Sequence, residues 1–250
     1  MDPAERLRPY RDGAGAEVMG ERYAIGFDID HTLCIDNKLE RVAFLHLLNR
    51  LIREGGTPLG SLASESDRID ELLAWQRGGA ASIEAAVARF VRERGIEPRA
   101  EHAEGFKRMV LAMAETFIVP DPQAEPVLAE LERRGIPVAV LSNGWNPLQI
   151  VKARRAGFGG TVIASADLGV LKPDVAAFAA LARELGAEPA RCFYVGDDPR
   201  ADVAGALAAG FQAVWLDDEG KGYPAELPRP THIIHSLGEV LELIAAEAGV

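Results

Sequence analysis

Tyr23-Ala24-Ile25-Gly26-Phe27-Asp28-Ile29-Asp30-His31-Thr32 is the stretch on which the fold turns. A short apolar run stops abruptly at a carboxylate, the pattern of a strand buried on both faces of a parallel sheet. Comparable runs recur further along. They are Ile136-Pro137-Val138-Ala139-Val140-Leu141, Thr161-Val162-Ile163-Ala164, Cys192-Phe193-Tyr194-Val195 and Ala213-Val214-Trp215-Leu216, with His232-Ile233-Ile234-His235 as a sixth. Amphipathic helical stretches separate them, at 125–134 before Gly135, from Asn146-Pro147 to Gly157, at 174–185 before Gly186 and at 202–209 before Gly210. Asn and Pro at a helix start and Gly after its end are ordinary punctuation. The alternation predicts an α/β fold, a Rossmann-like parallel sheet with helices on both faces.

One interval breaks the alternation. Between Asp28 and Ile136 no strand is evident, and the interval is far too long for a loop. It reads as helices at 39–53, 67–77, 82–94 and 101–117, with a loop at Gly55-Gly56-Thr57-Pro58-Leu59-Gly60-Ser61 and a return at Val119-Pro120-Asp121-Pro122. The expected organisation is an N-terminal arm at 1–21, a core domain at 22–33 and 120–250, and a helical cap domain at 34–119 inserted after the first strand.

With 38 acidic against 27 basic residues, the net charge of −11 disfavours nucleic acid and anionic membranes as partners. The first residues, MDPAERLRPYRDGAGAEVMGER, carry no apolar signal region, and no run approaches a bilayer span. Cys34 and Cys192 are too few for a disulfide framework and read as reduced thiols. The expectation is a soluble, cytoplasmic protein.

The chemistry concentrates at strand ends, where open parallel sheets bind ligands. Asp28 and Asp30, two apart on extended chain, point to the same side and could supply a nucleophile and a proton carrier. Ser142-Asn143-Gly144 offers a hydroxyl and exposed N–H groups for phosphoryl oxygens, and Lys172-Pro173 offers a cation at a helix start. Gly196-Asp197-Asp198, with Asp202 one turn on, joins Asp28 in a hard oxygen-ligand set of the kind Mg²⁺ prefers. A carboxylate attacking a phosphate monoester needs such a cation to remove their repulsion, and Lys172 and Ser142 to spread the remaining charge. Asp30, to carry a proton, is expected to sit buried among carboxylates.

From Tyr23 to Leu216 the chain resembles the haloacid dehalogenase superfamily, specifically its phosphatases with a helical cap after the first strand. The ordered motifs Asp28-Ile29-Asp30-His31-Thr32, Leu141-Ser142-Asn143-Gly144, Leu171-Lys172-Pro173 and Val195-Gly196-Asp197-Asp198 with Asp202 carry the resemblance. It implies hydrolysis of a small phosphorylated metabolite through an aspartyl-phosphate on Asp28, with Asp30 as general acid and base. It also implies a Mg²⁺ ion on the Asp28 and Asp197 carboxylates and the Asp30 carbonyl, with Asp198 and Asp202 acting directly or through water. Thr32, Ser142, Asn143 and Lys172 would hold the phosphoryl group or orient the nucleophile. Where the family usually has Gly, this chain has His31, whose side chain either reaches the leaving group or only replaces a permissive backbone position.

Phosphoryl transfer to a sugar hydroxyl, as in a phosphomutase, would use the same residues. Dehalogenation is disfavoured, because those members lack a carboxylate at the position of Asp30. A phospho-accepting receiver module places its acceptor on a middle strand of a much shorter chain without an insert. Trp145 and Cys34 read as packing residues. Trp75, Arg77, Lys107 and Arg108 read as surface or helix-packing residues with a lesser claim on the site.

Overall fold

In the computed structural model, which describes residues 22–36, 38–78, 81–218 and 220–248, the apolar runs all become strands. In chain order the strands are β1 (Ala24–Phe27), β2 (Cys34–Ile35), β3 (Val119–Pro120), β4 (Val138–Ser142), β5 (Val162–Ala164), β6 (Cys192–Gly196), β7 (Gln212–Leu216) and β8 (His232–Ile234). Six of them form one parallel sheet in the order β5-β4-β1-β6-β7-β8. Successive residues alternate between its faces. Ile25, Phe27, Val140, Phe193, Val195 and Val214 join one apolar cluster; Ala24, Ala139, Leu141, Cys192, Tyr194 and Ala213 join the other. Both faces are covered, which is why the strands read as unbroken apolar runs.

The helices are α1 (Leu39–Arg53), α2 (Leu62–Arg77), α3 (Ile83–Arg92), α4 (Ala100–Phe117), α5 (Ala124–Arg133), α6 (Leu148–Arg155), α7 (Ser165–Leu168), α8 (Val175–Leu185), α9 (Gly205–Ala208) and α10 (Glu239–Ala248). Helices α1 to α4 fill the interval between β2 and β3, and Phe44 of α1 packs at 5.0 Å from Phe90 and 4.6 Å from Phe106 between ring centroids. These rings belong to the same apolar cluster as Ile25 and Phe27, so the helical insert and one sheet face share a core. At its base β2 and β3 pair antiparallel, Cys34 opposite Pro120 and Ile35 opposite Val119. The return at 119–122 is thus partly a strand. Among the described residues no helix is long and apolar enough to cross a membrane, and Cys34 and Cys192 are buried free thiols. The expected arm at 1–21 lies outside the described residues.

Several helix starts differ from expectation. Helix α2 begins at Leu62, before 67, because Ser61 caps it by accepting from Ser64 N at 3.2 Å. Helix α6 begins at Leu148 after Pro147, and Asn146 bonds Asp167 instead of capping. Pro173 stays outside α8, whose cap is Asp174. The stretch expected as one helix at 202–209 is a π-helical turn, Pro199–Ala204, running into the short α9.

The strand order places the site. From β1 the chain builds outward to β5 on one side and then returns to build β6 to β8 on the other. The reversal lies beside β1, and the crevice at such a switch point is where open sheets bind ligands.

Candidate active site

Phe27 is level with Val140 on one neighbour and Val195 on the other, so Asp28, Ser142 and Asp197 leave the sheet close together. Asp28 is buried, its N–H bonded to Val195 O at 2.9 Å. Lys172 Nζ lies 2.8 Å from Asp28 Oδ1 and 2.6 Å from Asp202 Oδ1, and donates to the Tyr194 hydroxyl at 2.9 Å. The Tyr194 hydroxyl in turn donates to Leu141 O at 2.7 Å. Of the three ammonium protons of Lys172, two are thus bonded, to Asp202 and Tyr194, and Asp28 is held as an ion pair. Although burial pulls against it, the Asp202 and Asp28 carboxylates hold the Lys172 ammonium well above its ordinary range. Asn143 fixes the same residue from behind: its Nδ2 donates to Lys172 O at 3.0 Å and its Oδ1 accepts from Lys172 N at 2.9 Å. Both amide atoms of Asn143 are thus tied to the backbone of Lys172.

Oxygens of Asp28, Asp197 and Asp202 all lie within 4.8 Å of one another. Asp202 can lie against β6 only because residue 196 is glycine, since a Cβ there would stand 2.3 Å from Asp202 Oδ2. Burial, with the charge of Asp28, pushes both Asp197 and Asp202 up to about 7, despite the opposing pull of Lys172. Asp28 Oδ1 is buried and has no hydrogen-bond donor, the ion pair with Lys172 notwithstanding. Three hard anionic donors, one of them lacking a hydrogen bond, against one ammonium suit a divalent cation. Asp198 stands outside this group: its Oδ1 caps the following turn by accepting from Arg200 N at 2.7 Å and Ala201 N at 2.8 Å.

Asp28, Asp30, His31, Ser142, Asn143, Lys172, Asp197, Asp198 and Asp202 line one cavity of about 320 Å³, with Asp36 and Arg77 contributed by the insert. Thr32 does not line it; its hydroxyl is buried without a partner. Asp30 is the main departure. Its neighbour is a cation, Lys152 Nζ at 2.6 Å from Oδ1, in place of the carboxylate surroundings expected. Lys152 also reaches Asp36 Oδ2 at 3.0 Å. Nearby, Trp145 Nε1 donates to Glu40 Oε1 at 2.9 Å and joins the core to the insert. Of the four insert residues with a lesser claim, Arg77 alone lines the cavity. Lys152, Asp36, Glu40 and Tyr194 escaped sequence reasoning. A signal existed for Lys152, which shares a buried stripe with Leu148 at i−4 and Ala156 at i+4.

A family model described as haloacid dehalogenase-like hydrolase matches residues 24–210. A phosphoserine phosphatase of Thermus thermophilus is 35% identical over 185 residues, covering 70% of this chain and 73% of its own. Among solved structures, a HAD phosphatase from Thermococcus onnurineus superposes with a TM-score of 0.66 at 22% identity, over 89% of this chain and 97% of that one. A 2-haloacid dehalogenase from Pseudomonas syringae pv. tomato DC3000 superposes with a TM-score of 0.64 at 24% identity, over 90% and 99%.

Proposed function

The chain belongs to the haloacid dehalogenase-like hydrolase family, and from that premise we propose that it is a Mg²⁺-dependent phosphatase of small phosphate monoesters, with Asp28 as nucleophile and Asp30 as proton carrier. The observation that carries this reading is the pairing of two differently placed carboxylates in one cavity. Asp28 sits buried beside Lys172 and the acidic group, and Asp30 is a third exposed with a separate cation. When bound by Asp28, Asp197 and Asp202, with the Asp30 carbonyl, the divalent ion supplies neutralisation between nucleophile and phosphoryl oxygens.

The chain's own residues account for the rest. Asp28 attacks phosphorus, forming an aspartyl-phosphate as the bond to the leaving oxygen breaks. Asp30 gives that oxygen a proton. Asp30 then takes a proton from water, whose oxygen attacks phosphorus and frees Asp28 with release of phosphate. Lys172, oriented by Asn143 and Tyr194, and Ser142 stabilise the charge on the phosphoryl oxygens. A halide leaving group needs no proton, so the presence of Asp30 in the cavity supports phosphoryl chemistry over dehalogenation. Residues 34–119 serve as a cap over the leaving group, a role that Arg77 and Asp36 support by lining the same cavity.

Phosphate release from O-phosphoserine, phosphoglycolate, glyceraldehyde 3-phosphate and p-nitrophenyl phosphate tests the reading. Turnover is expected with Mg²⁺, loss is expected in excess chelator, and Asp28→Asn is expected to be inactive. Turnover in excess chelator would remove the metal from the scheme, and an active Asp28→Asn variant would remove the nucleophile.

A further inference from the structure

Among the described residues, the chemistry above leaves one buried lysine unused. Lys152 lies on α6, its side chain 3% exposed, with its ammonium between Asp30 and Asp36. A lysine so placed is tolerable only when paired, and here the pairing spans three pieces of chain. Asp30 follows β1, Asp36 follows β2 at the entrance to the insert, and α6 belongs to the sheet's covering layer. Lys152 does not touch Asp28, Lys172 or the acidic group among the described residues.

We propose that Lys152 is a positioning residue for the proton transfer: it pins one oxygen of Asp30, leaving the other for the proton, while Asp36 holds the ammonium in place. The inference rests on the reading of this chain as a phosphatase with Asp30 as proton carrier. A carboxylate a third exposed on a turn has several rotamers open to it, and one charge-assisted bond of 2.6 Å removes that freedom. Asp36 matters through the lysine. Without it Lys152 would keep Asp30 as its single ion-pair partner and be freer to swing. Because Lys152 is remote from the phosphoryl contacts, its loss falls on protonation of the leaving oxygen and on activation of water, while attack by Asp28 is spared.

The leaving group separates these effects. An alkoxide needs the proton from Asp30, whereas p-nitrophenolate departs without it. Quench-flow on full-length protein with Mg²⁺ compares p-nitrophenyl phosphate with the alkyl phosphate the wild type hydrolyses fastest. Lys152→Met is expected to slow alcohol release by about 10²-fold, while the first-turnover burst of p-nitrophenolate and both KM values stay close to wild type. In an Asp30→Asn background the same substitution is expected to add nothing. Lys152→Arg, which keeps the charge but displaces it, is expected to show the same alkyl-selective loss at smaller size. It carries the comparison alone should circular dichroism show Lys152→Met unfolded. Equal losses on both esters, or losses that multiply with Asp30→Asn, would overturn the positioning role and leave the phosphatase reading standing. A wild type that releases phosphate from neither ester overturns both.

Discussion

His31 is a non-glycine residue held at φ 59°, left-handed backbone that costs an L-residue about 1–2 kcal/mol. Its N–H donates to Cys34 O at 2.8 Å, closing the turn that carries Asp30 past the end of β1. The resemblance singled out this position because relatives place Gly there, and the dihedral explains why they do. His31→Gly should relieve the strain but adds freedom to the unfolded chain, leaving a net stabilisation of about 0.5–1 kcal/mol. A urea midpoint that rises with unchanged slope would show it, whereas a falling midpoint would mean the imidazole contributes more than its backbone costs. The two buried lysines show what single residues disclose. Lys172 was legible because it stands with Pro173 just before a helical stretch. Lys152 sits inside a helix, where a lysine is ordinarily solvated, and only its register with Leu148 and Ala156 betrays it.

At the scale of elements, the strands of the sheet and most helix C-termini were legible, and several helix starts were not. A strand covered on both faces must be apolar throughout, and that constraint acts on every residue. Helix starts depend instead on one capping side chain, and a serine or aspartate has competing uses. Ser61 capping α2, Asp174 capping α8 and Asn146 turning aside to Asp167 differ by geometry alone. Inside the insert a second ion pair was likewise hidden. Arg94 is fully buried against Glu65, donates to Phe90 O at 2.6 Å, and so ties α2 to the end of α3. Glu65 in turn accepts from Leu59 N at 2.7 Å and fixes the loop before α2. Arg94→Met should cost about 3–5 kcal/mol by leaving Glu65 buried without its partner, and Arg94→Met with Glu65→Leu should recover much of that loss. Denaturant titration of both variants distinguishes this from simple overpacking, in which the double variant would be no better than the single one.

The whole molecule carries an excess of negative charge, and the carboxylate oxygens of Asp28, Asp197 and Asp202 meet within 4.8 Å of one another. A divalent ion bound there only in the folded state stabilises the chain by mass action. At a hundredfold excess over its Kd, Mg²⁺ should raise the unfolding temperature by about 5–10 °C without any substrate. Asp197→Asn should shrink that shift, and an equal shift in wild type and variant would locate the ion elsewhere. The site as an assembly was largely readable, because the carboxyl ends of neighbouring parallel strands must converge. Which residues stand behind it was not, since Tyr194 and Glu40 read as core and as helix surface. The paired β2 and β3 have a consequence of another kind. Cys34 and Pro120 lie side by side, so to the sheet the entire interval between them is equivalent to a tight turn. Chain enters and leaves the helical interval through this one paired stem, while its helices share a core with one face of the sheet. A module of different length or architecture could be grafted there, provided its ends meet at that spacing and it covers the apolar face of α6. Specificity could then be exchanged by recombination, with Asp28 and its neighbours left in register.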